Sequence, residues 1–112
     1  MFRAFQATAG TSGYAQVDLS PYIESVEWDI YQMTIQTAKV TAATQCEVKH
    51  NGFLLCYTLQ GWRDTAVGPP DIVVRPGDTL SVCWSNMNPM DIATVGVWYN
   101  EVPQGTTYST AH

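Results

Sequence analysis

The sequence predicts an all-β protein, a single antiparallel β-sandwich or jelly roll, and three observations indicate this class. About seven short runs rich in β-branched and aromatic residues alternate between polar and apolar side chains, as half-buried strands do. Turn signals containing Gly, Pro, Asn and Asp separate these runs at fairly regular spacing, and no stretch has the period of an amphipathic helix. With 112 residues, 46% of them hydrophobic, the chain is large enough to bury one core.

The segment from Asp71 to Tyr99 carries the clearest strand pattern. Within it, Arg75-Pro76-Gly77-Asp78 predicts a turn, because Pro fixes φ at the first central position and Gly supplies the positive φ that a type II turn needs next. Leu80 to Trp84 then alternate with period two, and the same pattern runs from Ala93 to Tyr99. Because the polar loop from Ser85 to Asp91 joins these runs, we predict that they pair as a long antiparallel hairpin.

The longest strand candidate runs from Val26 to Thr37. A helix is disfavoured because β-branched and aromatic residues dominate and no convincing cap precedes the run. Its apolar face switches at Ile30-Tyr31, which predicts either a β-bulge or a strand that crosses between two sheets. Before the switch, the apolar residues on one side of the strand are Val26, Trp28 and Ile30. After it, the apolar residues of the other parity are Tyr31, Met33 and Ile35.

A tight hairpin is predicted around Asn51-Gly52, because this pair tolerates the positive φ that a type I′ turn requires at both positions. A two-residue turn sets the register, and the expected opposite pairs are His50 with Phe53, Val48 with Leu55 and Cys46 with Tyr57.

The three cysteines, Cys46, Cys56 and Cys83, cannot all pair within one chain. In the predicted register Cys56 lies opposite Glu47, on the other face from Cys46, so a bond between them would need a slipped register. We therefore expect free, mostly buried thiols, as in a protein that matures in a reducing compartment.

The two ends of the chain have weaker patterns. Residues 1–20 predict an extended N-terminal arm or a loosely held first strand, and Phe2 and Phe5 favour an arm that docks on a partner. The sandwich is expected over 21–102, and 103–112 is expected to be a C-terminal tail.

Charge and hydropathy exclude several classes of partner. Charged residues make up 13% of the chain, which suits a surface that lies against another protein, although small all-β domains are often poor in charge. The net charge of −5, with no basic run, argues against nucleic acid. Neither a signal peptide nor an apolar run long enough to cross a bilayer is visible, so we expect synthesis in a cytoplasm and no membrane partner.

Residues that could carry chemistry are sparse. The histidines are His50 and His112, and a shared metal site of Cys46 and His50 would have to bridge about 13 Å along one strand. Asp64, Asp71, Asp78 and Asp91 fall at turns, where Asp usually bonds the backbone. Glu27 and Asp29 share one face of the long strand, but nothing singles out a catalytic pair. We therefore predict a protein that is not an enzyme, with no cofactor and no metal.

Several large side chains are candidates for contact with a partner. Trp62 stands in a Gly-bounded loop beside Arg63 and could also stack on a sugar ring, whereas Trp84 and Trp98 are expected to pack in the core or on a sheet surface. Met87 and Met90 flank Asn88-Pro89 at a loop tip, where methionines make adaptable contacts, although one of them could tuck under the loop. The predicted contact residues are Phe2, Phe5, Trp62, Arg63, Met87 and Met90.

These motifs resemble small β-sandwich virion proteins of tailed bacteriophages, particularly those of actinobacteria, over roughly Val26 to Glu101. The family often has Pro-Gly in the loop before the last strand, where this chain has Pro89-Met90. The resembling segments are the strand that contains Trp28, Lys49-His50-Asn51-Gly52-Phe53, the run from Val74 through Pro76-Gly77-Asp78 to Trp84, and Ala93-Thr94-Val95-Gly96-Val97-Trp98-Tyr99.

The resemblance implies a non-enzymatic virion structural protein made in the host cytoplasm, but it transfers no functional residue. Its partners would be the major capsid protein or other virion proteins, and the chain would be a symmetric homo-oligomer with a trimer favoured. We expect a capsid decoration protein on the outside of the shell. The alternatives are a minor tail or receptor-binding component with a carbohydrate-binding sandwich, and a small hydrolase for which no pair of carboxylates can be named.

Overall fold

The computed structural model describes residues 1–21, 26–39, 43–57, 63–65 and 72–103, and for 55–57 and 63–65 it describes the backbone alone. These residues contain no helix, and so none that could span a membrane. The strands are β1 (Phe2–Thr8), β2 (Ala15–Leu19), β3 (Val26–Thr37), β4 (Gln45–His50), β5 (Phe53–Tyr57), β6 (Arg63–Thr65), β7 (Ile72–Val74), β8 (Leu80–Ser85) and β9 (Ile92–Pro103).

The strands form two antiparallel sheets that pack face to face. Sheet A has the order β1-β9-β3-β6, with β7 also paired to β3, and sheet B has the order β2-β8-β4-β5. Since β6 and β7 pair with successive stretches of one edge of β3, each sheet has four strand positions. The chain moves to the other sheet at each step except β4 to β5 and β6 to β7, which is the winding of a jelly roll. The predicted fold class is confirmed.

The core lies between the two sheets and is built from the alternate side chains of each strand. The rings of Trp28 and Tyr99 stack in it with centroids 4.7 Å apart. Sheet A contributes Trp28, Ile30, Met33, Ile35, Ile72, Val74, Ala93, Val95, Val97 and Tyr99, and sheet B contributes Ala15, Val17, Leu19, Cys46, Val48, Leu80, Val82 and Trp84.

The predicted pairing of β8 with β9 is wrong. β8 pairs with β2 and β4 in sheet B, whereas β9 pairs with β1 and β3 in sheet A. The connection from Asn86 to Asp91 therefore crosses from one sheet to the other. Both strands show the predicted alternation because both turn one face to the same core. Strands that pair within one sheet and strands that face each other across the core have the same alternation, so the pattern does not distinguish the two arrangements.

The local predictions at turns and at the bulge are confirmed. Asn51 and Gly52 have φ of 51° and 87°, as a type I′ turn requires. Gly77 has φ of 90°, and the Asp78 N–H donates to the Arg75 carbonyl at 2.9 Å. The ladder between β3 and β9 shifts register between Ile30 and Gln32, so the parity change of β3 is a β-bulge within sheet A.

The predicted register of the β4–β5 hairpin is correct next to the turn and wrong beyond it. His50 lies opposite Phe53, but a shift between Val48 and Lys49 places Val48 opposite Cys56 rather than Leu55. Such a bulge adds one residue to a strand without changing the turn. Among the other cysteines, Cys46 is buried in the core and Cys83 is a half-buried free thiol.

Of the two alternatives predicted for residues 1–20, the structure shows strand and not an arm. These residues form β1 at the edge of sheet A and β2 at the edge of sheet B, joined by a turn around Gly13. The pattern seemed weak because small residues occupy inward positions, Ala15 among them, and because β1 is only partly buried. At the other end β9 continues to Pro103, and the predicted tail beyond it lies outside the described residues.

Candidate binding face

The outer face of sheet A carries a continuous set of uncharged side chains from three neighbouring strands. The register places Phe2 beside Trp98 and Trp98 beside Gln32, and the rows continue in the same way along the sheet. We call this surface the uncharged face. Its residues are Phe2, Ala4, Gln6 and Thr8 of β1, Ile92, Thr94, Gly96 and Trp98 of β9, and Gln32, Thr34 and Gln36 of β3.

An aromatic pair occupies one end of this face. The rings of Phe2 and Trp98 have centroids 4.6 Å apart and are tilted by 47°. A Cβ atom at Gly96 would stand 3.0 Å from Phe2 Cε1 and 3.0 Å from Thr34 Oγ1, so the Phe2 ring lies over the bare glycine backbone. Glycine at position 96 therefore lets the aromatic ring approach the sheet backbone closely.

Charge begins where the uncharged face ends. On β3 the outward positions before the bulge are Glu27, which is buried, and Asp29, which is half-buried. They lie opposite Val102 and Asn100 on β9. The Asp29 Oδ1 atom is buried and has no hydrogen-bond partner among the described residues. These two carboxylates bound the uncharged face at one end of the sheet.

The four predicted contact residues whose side chains the structure describes, Phe2, Phe5, Met87 and Met90, do not come together. Phe2 lies on the uncharged face and is 53% exposed, whereas Phe5 points to the other side of β1, where it packs against the core edge with the Arg3 guanidinium 5.4 Å from its ring centre. Trp62 lies outside the described residues. Arg63 pairs with Gln36 through its backbone, and its side chain is outside the description.

The two predicted methionines also lie in different environments, one exposed and one buried. Met90 is 70% exposed at the loop tip. Met87 is 5% exposed, so its prediction as a contact residue is wrong. The Met87 N–H donates to the Gly13 carbonyl at 2.9 Å, and this bond holds the loop down on the β1–β2 turn.

The sequence does not single out this candidate face, because its large ring, Trp98, lies in a strand pattern that predicts packing in the core or on a sheet surface. Gln6, Gln32 and Gln36 carry no motif that would bring them together. A signal was present in part of these strands, since Gln32, Thr34 and Gln36 of β3 and Thr94, Gly96 and Trp98 of β9 alternate with apolar residues where an ordinary exposed sheet surface would carry Lys and Glu.

The outer face of sheet B has a different character, with a chain of polar hydrogen bonds. The Tyr14 hydroxyl donates to Gln16 Oε1 at 2.6 Å, and Gln16 Nε2 and Ser81 Oγ both donate to Asp18 Oδ1 at 2.8 Å. A hydrogen bond with Cys83, together with burial, raises the pKa of Tyr14 to about 12. The phenol therefore stays protonated at neutral pH and stabilises this surface rather than supplying a base.

His50 belongs to a structural cluster that joins two turns. Its Nε2 atom lies 3.1 Å from Asp78 Oδ2, and the backbone N–H of Arg75 donates to the same oxygen at 3.1 Å. Asn51 Nδ2 donates to Asp78 Oδ1 at 3.2 Å. The Thr79 N–H donates to Asn51 Oδ1 at 2.9 Å. The Asn-Gly turn and the Pro-Gly-Asp turn are thus held together at one end of sheet B.

This cluster predicts an acid-sensitive contribution to stability. The backbone hydrogen bond from Arg75, followed by the side chains of Asn51 and His50, lowers the pKa of Asp78 below its usual 3.8. Because the folded pKa lies below the unfolded one, the stabilisation is present above about pH 3.8 and is lost as pH falls through the folded pKa. Thermal melts from pH 6 to pH 2 should show a higher melting temperature for the wild type than for Asp78→Asn above about pH 3.8, and this difference should disappear at lower pH. A gap between the two proteins that stays constant to pH 2 would contradict the assignment.

Comparison with known proteins adds no assignment: no family model, curated protein or solved structure matches this chain. Within the described residues, no group of three or more His, Cys, Asp or Glu side chains could hold a metal ion. The arrangement that can act on another molecule is the uncharged face, whose rings offer apolar contact and whose amides and hydroxyls offer hydrogen bonds.

Proposed function

We propose that this chain is a non-enzymatic structural protein of a bacteriophage virion, a capsid decoration protein that docks on the major capsid protein through its uncharged face. The observation that carries the proposal is the uncharged face itself. The resemblance of Val26 to Glu101 to phage virion proteins supplies the class of particle.

The composition of the face suits a protein partner. Protein interfaces are enriched in aromatic side chains and depleted in Lys, Glu and Asp, because covering a charge removes it from water. Here the Phe2–Trp98 pair offers a compact apolar anchor at one end of the face, and Gln6, Gln32 and Gln36 can exchange hydrogen bonds with water for hydrogen bonds with a partner. None of the residues that β1, β9 and β3 contribute to this face is charged, and Arg63, which the register places beside Gln36, stands at its β6 border.

The fold is compatible with the proposal without deciding it. Jelly rolls form both viral capsid domains and lectins, and a fold by itself does not specify function. The residues on the sheet surface must therefore be tested directly.

The test is co-sedimentation of the purified protein with capsids that lack it. We expect saturable binding at a fixed ratio to the shell subunit, and we expect Trp98→Ala to weaken binding by about 2 kcal/mol or more, roughly thirtyfold, if the indole is the anchor of the interface. Leu54→Ala is the matched control, because Leu54 is an apolar side chain that is 60% exposed on β5 of sheet B. Thermal melts of both variants show whether each remains folded.

Two results would contradict the proposal. One is the absence of binding to shells at any concentration. The other is wild-type binding by a folded Trp98→Ala variant together with weakened binding by Leu54→Ala, which would place the interface on sheet B.

A carbohydrate-binding tail component is the second candidate, and the same aromatic pair favours it. Aromatic faces stack on pyranose rings, and the surrounding amides and hydroxyls suit sugar hydroxyls. Glycan-array binding that disappears in Trp98→Ala but persists in Trp62→Ala would place a sugar site on the uncharged face. The reverse result would place it in the loop that contains Trp62.

A further inference from the structure

β1 is an edge strand whose outer hydrogen-bonding groups are unpaired. Met1 and Tyr99 exchange hydrogen bonds in both directions, at 2.8 Å and 2.9 Å, and the Ala9 N–H donates to the Asp91 carbonyl at 2.8 Å. In an antiparallel ladder the bonded pairs alternate. The odd-numbered residues of β1 therefore bond to β9, and the even-numbered residues direct their N–H and C=O groups away from it.

Four consecutive even positions are open in this way. They show no backbone hydrogen bond in the part of the chain that the structure describes, and their side chains are exposed. Each position offers one donor and one acceptor at the sheet edge, and the four residues are Phe2, Ala4, Gln6 and Thr8.

Most of the usual protections of an edge strand are missing from β1. Natural edges are kept short, are covered, or are blocked by Pro, a charged side chain or a bulge. β6 and β7 have three residues each, β2 carries Asp18 on its outward face, and the ladder of β5 is irregular. β1 has seven residues in an uninterrupted register with β9 and contains no Pro. Its one charged residue, Arg3, lies on the core side of the strand, and it is the single edge protection of β1 because its guanidinium stands 5.4 Å from the Phe5 ring centre.

We propose that β1 is a self-association edge that pairs antiparallel with β1 of a second copy of this chain, joining two A sheets across a two-fold axis at Phe5. In this register Phe2 lies opposite Thr8 of the second copy, and Ala4 lies opposite Gln6. All four open positions of each strand are then bonded, whereas a shift by two residues in either direction leaves one of them unpaired.

The charges and side chains fit this pairing. Arg3 lies opposite Ala7 of the second copy, and the two Arg3 residues stand about 14 Å apart along the strands, beyond the screening length of about 8 Å at physiological salt. The two Phe5 rings meet on the core side at the axis. Asp18 of β2 projects from the outer face of sheet B, where it bonds Ser81, and so stays away from the junction.

The consequence is a larger docking surface. Since Phe2, Ala4, Gln6 and Thr8 project their side chains from the uncharged face, pairing would join two such faces into one continuous surface. The association is separate from capsid binding and is tested on the purified protein alone.

The test is the mass of the purified chain in solution, measured by light scattering over a range of concentrations. We expect two copies for the wild type and one copy for Ala4→Pro, because proline removes an outward N–H and blocks pairing at an edge while the bonds to β9 remain. Gln6→Lys is a second variant that places charges near the axis without changing the backbone, and we expect it to shift the mass to one copy. Gln36→Lys, on the same face but away from β1, is the control and should remain at two copies.

The register is tested by cross-linking. Phe5 would face itself in a non-hydrogen-bonded pair, whose Cα separation of about 4.5 Å falls in the range for a disulfide. Under oxidation Phe5→Cys should give covalent dimers above the level of the parent chain, whereas Thr8→Cys, which would face Phe2, should not.

Three outcomes overturn the proposal: one copy at all concentrations, a trimer, or two copies that persist in both Ala4→Pro and Gln6→Lys. If Ala4→Pro does not fold, as judged by circular dichroism, Gln6→Lys alone decides.

Discussion

Trp84→Ala is expected to lower the free energy of unfolding by about 3–5 kcal/mol, the range for removing a large aromatic side chain from a core. Trp84 has no exposed surface, and its neighbours in sheet B are Ala15 on β2 and Cys46 on β4. Both are small, so they cannot fill the cavity that alanine would leave. Chemical denaturation followed by far-UV circular dichroism measures the loss without depending on tryptophan fluorescence.

Trp84→Phe separates two contributions of this side chain to the free energy of unfolding, that of its volume and that of its indole N–H. The indole Nε1 atom of Trp84 is buried and finds no hydrogen-bond acceptor among the described residues. Burying an unsatisfied donor costs about 1–3 kcal/mol, so phenylalanine removes a penalty while it removes volume. We expect Trp84→Phe to lose less than about 1.5 kcal/mol. A loss as large as that of Trp84→Ala would show that the indole N–H is bonded in solution.

Gly13→Ala is expected to destabilise the fold by about 2–4 kcal/mol, because it combines backbone strain with a clash. Gly13 has φ of 79°, and a Cβ atom there would stand 2.5 Å from the backbone oxygen of Met87. At the same place the Met87 N–H donates a hydrogen bond to the Gly13 carbonyl, so a displaced Met87 would also lose this bond. Denaturant midpoints measure the loss, and the loop that connects β8 to β9 is expected to become more accessible to hydrogen exchange.

Two other glycines provide matched controls. Gly77 has φ of 90° but no atom within 4 Å of an added Cβ, so Gly77→Ala isolates the cost of positive φ, about 1 kcal/mol. Gly10 also has open space and no positive φ, so Gly10→Ala should be neutral or slightly stabilising. Equal effects at Gly13 and Gly77 would contradict the clash with Met87.

Features that depend on a few neighbouring residues were predicted correctly. The Asn51-Gly52 and Pro76-Gly77 turns have the backbone angles that their residues favour. The parity change at Ile30-Tyr31 marks a bulge that the ladder confirms. These features follow from the steric preferences of a few neighbouring residues, so they can be predicted from the sequence alone.

The uncharged face could not be predicted in the same way. Phe2, Gly96 and Thr34 are far apart in the sequence, and they meet because β1, β9 and β3 are neighbours in sheet A. Met87 was expected on the surface because Asn and Pro surround it, yet the packing of its loop on the Gly13 turn buries it.

The sequence by itself determined that this chain is all-β, where most of its strands and turns fall, and which side of most strands faces the core. The tertiary structure decided which sheet each strand joins, and so placed β8 and β9 on opposite sides of the core instead of side by side. The physical reason is that a period-two hydrophobic pattern shows which side chains of a strand are buried but not which strand lies beside it. Strand pairing is made by backbone groups that are the same in every residue, so it depends on the winding of the whole chain.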